Sequence, residues 1–141
     1  MQKETTKFTE SDIMEGMSSI SAVIKAIEAG KTDRRIRTVF VDKSKKDSKR
    51  REIAFLSHKA RELDFALEYT DAQSLSEITT GSSHGGIVAF CSPRSIPALS
   101  ADMIAPDGVY YMLDGVEDPY NFGYSVRSIY AAGGSGIILS P

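Results

Sequence analysis

The chain has 141 residues, 41% of them hydrophobic and 26% charged, with a net charge of −2; this is the length of one ordinary domain and the composition of a soluble globular protein. A single cysteine, Cys91, excludes an internal disulfide, and with only two histidines beside it no plausible zinc site can be assembled. No apolar run approaches the ~20 residues that would cross a bilayer, and a net charge so close to zero predicts no partner by itself.

The opening stretch MQKETTKFTESD is polar and has no apolar segment, so no signal peptide is expected and a cytoplasmic location is. Ile20, Val23, Ile24 and Ile27 then recur at helical spacing, with Gly30 as a natural stop. IRTVFVD, Ile36 to Asp42, is β-branched and short and predicts a strand. The charged loop KSKKDSKRR leads into a second amphipathic helix from Arg50 to Leu63, with Ile53, Leu56, Ala60 and Leu63 on one stripe. FALEYT predicts another strand, Asp71 can cap a short helix bearing Leu75 and Ile78, and TGSSHGG turns into the strand IVAFC ending at Cys91. This alternation predicts an α/β layer with helices over a largely parallel sheet across residues 1–92.

Residues 93–107 hold three of the five prolines, Pro93, Pro97 and Pro106, and predict an interdomain linker. Residues 108–141 then offer one strand–helix–strand unit: VYYMLDG, a helix from Asn121 to about Ala132, and GIILSP. Both strands are apolar on both faces, as in sheets covered from each side, yet one helix covers one face only. The second domain is therefore expected to be incomplete, either cut short or completed by another chain.

Charge is unevenly placed. Twelve of the 17 lysines and arginines fall between Lys31 and Arg61, opposed there by Asp33, Asp42, Asp47 and Glu52, a local excess of eight. Such a run is either a solvated loop or a phosphate-binding patch that displaces the counterions condensed on nucleic acid. In the second unit Asn121 is placed to cap its helix, and Gly123 and Arg127, four residues apart, share a face. Arg127 either pairs with Asp114 or Glu117 or serves a ligand at the helix start, where open α/β sheets bind them. His84, beside Gly85 and Gly86, is a turn residue or an RNA contact. AAGGSG leads into a strand instead of opening a helix, and GxGxxG, GxxxxGK[ST] and GxSxG are all missing.

DGVEDPYNFGYSVRSIYAAGGSGIILSP resembles the first motif of the SpoU (TrmH-type) RNA 2′-O-ribose methyltransferases of the SPOUT class, whose core is N-x-G-x-x-x-R, here Asn121, Gly123 and Arg127. Tyr120 and Phe122 stand where that family often has His and Leu. MEG near the start and HGGIVAF, His84 to Phe90, resemble the family's RNA-substrate-binding domain, so the resemblance spans nearly the whole chain.

The resemblance implies an α/β RNA-substrate-binding domain followed by an incomplete parallel α/β catalytic domain, knotted when complete. It implies methyl transfer from S-adenosylmethionine to a ribose 2′-hydroxyl, with no metal, ribosomal RNA expected ahead of transfer RNA as the partner, and a homodimer for the complete enzyme. Asn121 and Arg127 would be the catalytic pair. Arg34, Arg35, Lys45, Lys46, Lys49, Arg50 and Arg51 would bind RNA. The donor is held in the family by later motifs that do not occur in these residues, so this stretch alone is expected to be inactive. The competing expectation is a non-catalytic RNA- or ribosome-binding protein.

Overall fold

The computed structural model describes residues 12–140, so the polar opening stretch read for a signal peptide lies outside the described residues. The chain forms two compact units that divide between Ser95 and Ile96. No helix among the described residues is long and apolar enough to cross a membrane.

The first unit runs β1 (Ile13–Glu15), α1 (Gly16–Glu28), β2 (Ile36–Asp42), α2 (Arg50–Leu63), β3 (Ala66–Thr70), α3 (Ala72–Ile78) and β4 (Ile87–Cys91). Ile20 and Ile24 of α1 and Leu56 of α2 are fully buried against Val39, Val41, Ile87 and Ala89, which places both helices on one face of the sheet. Strand alternation turns Val88 and Phe90 to the other face, where Phe90 meets Phe40 edge-on at 5.6 Å. Helix α1 ends at Gly30 in a left-handed conformation, φ +63, with Lys31 N–H donating to the Ala26 carbonyl. Helix α2 ends at Asp64, the one non-glycine residue with positive φ among the described residues.

The strand order is β1-β4-β2-β3, and the sheet is mixed. Among the described residues of this sheet only β2 and β3 pair in parallel; β4 runs antiparallel to β2, and β1 antiparallel to β4. This corrects the expectation of a largely parallel sheet. Helix α3 has seven residues and spans ~10 Å, too short to carry the chain back along a strand of seven. The chain therefore re-enters the sheet from the end at which β3 left it.

The second unit contains β5 (Tyr110–Leu113), α4 (Pro119–Ala131) and β6 (Gly136–Leu139), with the two strands parallel. Ile129 is its buried helix residue, and a Cβ on Gly134 would lie 2.6 Å from the Ile129 methyl, so the turn after α4 must be glycine to pack this closely. Met112 is 69% exposed, so one helix leaves part of the pair uncovered. Within the stretch read as a linker, residues 103–105 are fastened to β5. The Tyr110 hydroxyl accepts from Ala105 N–H at 2.8 Å and donates to the Met103 carbonyl at 3.3 Å.

Candidate nucleic-acid interface

One end of the first sheet gathers the C-terminal ends of β2 and β3, the start of β4 and the start of α1. The loop after β2 begins at Asp42, a buried carboxylate whose Oδ1 accepts from Ser44 N–H at 2.8 Å. Asp42 N–H donates to the Gly86 carbonyl at 2.8 Å. Gly86 has φ +81, and a Cβ there would meet Lys45 Cγ at 3.0 Å and Asp42 Cβ at 3.1 Å. Only glycine lets the turn before β4 lie this close to the basic loop. On its other side the turn is held by Glu15, whose Oε1 accepts from Thr80 N–H at 2.9 Å and from its hydroxyl at 3.2 Å. Gly16, φ +79, packs beneath the His84 backbone. His84 Nδ1 accepts from Gly86 N–H at 3.1 Å, so the ring holds its own turn. MEG and HGG, 65 or more residues apart, thus meet in space and build one edge.

The structure divides the seven basic candidates. Lys45, Lys46, Lys49, Arg50 and Arg51 lie together on the loop and first turn of α2 at this edge. Arg34 and Arg35 precede β2, whose seven residues put them ~20 Å away at the opposite end. Arg34 is half-buried with its guanidinium 3.8 Å from the Met14 sulfur, and Arg35 is fixed through its backbone by Ser92. Lys59, also in the basic run, is taken up by Glu28 and Glu62; those hydrogen bonds hold its pKa above the usual lysine value and tie α2 to α1.

At the first edge Lys49 pairs with Glu52 at 3.1 Å and Arg50 with Asp47 at 3.4 Å. The Arg50 and Asp47 side chains are 82% and 96% exposed, so solvent screens that pair and an incoming phosphate can replace the carboxylate. Lys46 Nζ stands over the Tyr69 ring, 5.1 Å from its centroid. Tyr69 did not emerge from the sequence, because a tyrosine in a predicted strand carries no mark of an exposed edge.

In the second unit, helix α4 starts earlier than expected. Asp118 is its N-cap, accepting from Tyr120 N–H at 2.8 Å, with Pro119 at the first helical position. Asn121 is therefore not the cap: it lies inside the first turn, exposed, its carbonyl accepting from the Ser125 hydroxyl at 2.9 Å. Asp followed by Pro is the stronger helix start and was legible. A Cβ on Gly123 would sit 3.8 Å from Arg127 Nη2, so these two share a face as expected. Asn121 and Arg127 are six residues apart, about 120° around the helix, and do not. Arg127 stacks on Tyr124, 4.8 Å from the ring centroid, and is ion-paired with neither Asp114 nor Glu117. Beside the start of α4 lies a cleft of about 380 Å³, lined by Leu113, the 114–117 loop, Phe122, Leu139 and Ser140. No group of three or more metal-ligating side chains occurs among the described residues.

Residues 15–97 match the family described as RNA 2′-O ribose methyltransferase substrate binding. The chain is 29% identical over 135 residues to the 23S rRNA (guanosine-2′-O-)-methyltransferase RlmB of Photorhabdus laumondii, covering 92% of this chain and 51% of that protein. It is 27% identical to the Escherichia coli K12 protein of the same name, with the same coverage. An AdoMet-bound rRNA methyltransferase from Sinorhizobium meliloti superposes with a TM-score of 0.61 at 26% identity, covering 90% of this chain and 42% of that one. The chain spans about half the length of the curated relatives it matches.

Proposed function

Because the chain belongs to the RNA 2′-O-ribose methyltransferase substrate-binding family, we propose that it forms the RNA-binding part, and the first strand–helix–strand unit of the catalytic part, of an enzyme that methylates ribose 2′-hydroxyls of ribosomal RNA. The observation that carries this reading is the family match across an α/β unit whose one sheet edge gathers five of the seven basic candidates. Lys45, Lys46, Lys49, Arg50 and Arg51 contact RNA phosphates there. Arg34 and Arg35 belong to a separate surface and are not needed for that contact. The complete protein acts in the cytoplasm as a homodimer.

S-adenosylmethionine, when bound, supplies an electrophilic methyl group. The cleft beside α4 is lined by two acidic residues, Asp114 and Glu117, and by the apolar Leu113, Val116, Phe122 and Leu139. The cleft is open to solvent and does not enclose an adenine, so the described residues do not by themselves fit the donor. The chain alone binds RNA without transferring methyl.

Arg127 and Asn121 act on the acceptor side. A guanidinium stays charged at any working pH, so Arg127 holds a phosphate beside the acceptor ribose bidentately and stabilises negative charge developing on the 2′-oxygen. Its stacking on Tyr124 pre-orients the fork. Asn121 offers an amide that orients the ribose. The test is transfer of labelled methyl to ribosomal RNA by the complete gene product, mapped by resistance of the modified linkage to alkali. Wild type labels ribose, and Arg127→Lys loses at least about tenfold in turnover with RNA affinity kept, because a point charge cannot reproduce the fork. RNA binding without any labelling would establish the non-catalytic RNA-binding reading instead.

A further inference from the structure

Tyr69 is 44% exposed on β3, the outermost strand of the first sheet among the described residues. It pairs in register with Val41, and Leu67, two residues earlier, packs into the core beneath α1 and α2. Strand alternation therefore puts the Tyr69 ring on the α2 face, in the corner between the edge strand and the basic loop. Lys46 Nζ lies over that ring at 5.1 Å. The ring thus presents an accessible aromatic face beside the cations of the loop, the pairing of stacking surface and positive charge that single-stranded nucleic acid binds.

The geometry points to Tyr69 as a base-stacking platform that takes one unpaired nucleobase, with Lys46 placed to hold the adjoining phosphate. This rests on the RNA-binding reading above and narrows it: the edge prefers unpaired RNA to duplex, because bases in a helix present no free face. The open side of β3 gives the base its approach, and Lys46, held over the ring by cation–π attraction alone, moves to the phosphate at little cost. Stacking on a tyrosine tolerates any base, so this contact selects single-stranded character and leaves sequence unread.

The experiment measures, by fluorescence anisotropy, binding of the 141-residue chain to oligouridine and to an RNA duplex of equal length. Tyr69→Ala is expected to weaken oligouridine binding about 5- to 100-fold and duplex binding less than about twofold, while Tyr69→Phe keeps wild-type affinity for both. Oligouridine carrying 5-iodouridine is expected to photocrosslink to the peptide containing Tyr69. An unchanged Tyr69→Ala beside a weakened Lys45→Ala/Arg50→Ala variant would overturn the platform and leave the RNA-binding reading standing. Equal losses on both RNAs would also overturn it, and failure of wild type to bind either RNA would remove both.

Discussion

The five candidate cations at one sheet edge and the two arginines at the other make a quantitative contrast in salt dependence. Each phosphate neutralised on single-stranded RNA contributes about −0.7 to the slope of log affinity against log salt. If all five of Lys45, Lys46, Lys49, Arg50 and Arg51 engage, the slope is about −3.5, and affinity falls about 100-fold between roughly 50 and 200 mM salt. The ion pairs with Glu52 and Asp47 do not reduce this much, because both are solvent-accessible and exchange a carboxylate for a phosphate. Lys45→Ala/Lys46→Ala is expected to bring the slope to about −2.1, and Arg35→Ala to leave it unchanged, since Arg35 is ~20 Å away and fixed by backbone contacts alone. Anisotropy titrations at four or more salt concentrations read the slopes directly. A fall with Arg35→Ala as large as with the double variant, or a wild-type slope near zero, would refute the assignment of the phosphate contact to this edge.

Two further outcomes follow from titrating groups. Burial pushes the Cys91 thiol up to about 11, only partly opposed by the nearby Arg34 charge, so the folded chain should resist Ellman's reagent at pH 8 and react at once in denaturant; fast labelling of the native protein would contradict the packing around β4. Asp71 caps α3, and the Ser74 N–H and hydroxyl hold its carboxylate below the usual range. A lowered folded pKa gives stability that is present above the unfolded value, about 4, and is lost as pH falls through the folded one. The melting-temperature deficit of Asp71→Ala should thus be full at neutral pH and shrink below about pH 4, and a deficit independent of pH would exclude the cap's ionic character.

Local signals carried much of the fold. Helix α2 spans Arg50–Leu63 and β4 spans Ile87–Cys91, both as expected, because a 3.6-residue stripe and a β-branched run bounded by glycine are complete within their own segments. What failed depended on distance in space. Strand β1, three residues long, has no periodicity to detect, and it exists only because Ile13–Glu15 find partners on β4. The antiparallel return of β4 depends on the shortness of α3. Asn121 suits a cap by residue type, but Asp118 followed by Pro119 satisfies the helix start more fully.

The basic run shows why sequence density and surface density differ. Arg35 and Lys45 are ten residues apart, but β2 runs between them, and an extended strand separates its flanks as far as a chain of that length allows. A count of cations therefore overstates one patch and hides the second. The motifs that carried the family resemblance in the first unit do different work: Glu15, Gly16, His84 and Gly86 make the bonds and close approaches that seat the basic loop against the turn, and none adds to the positive charge there. Position at this edge is set by glycines and a carboxylate. Under the proposed function affinity would come instead from the lysines and arginines of the loop they seat, the division expected where a rigid scaffold positions a polyanion-binding surface.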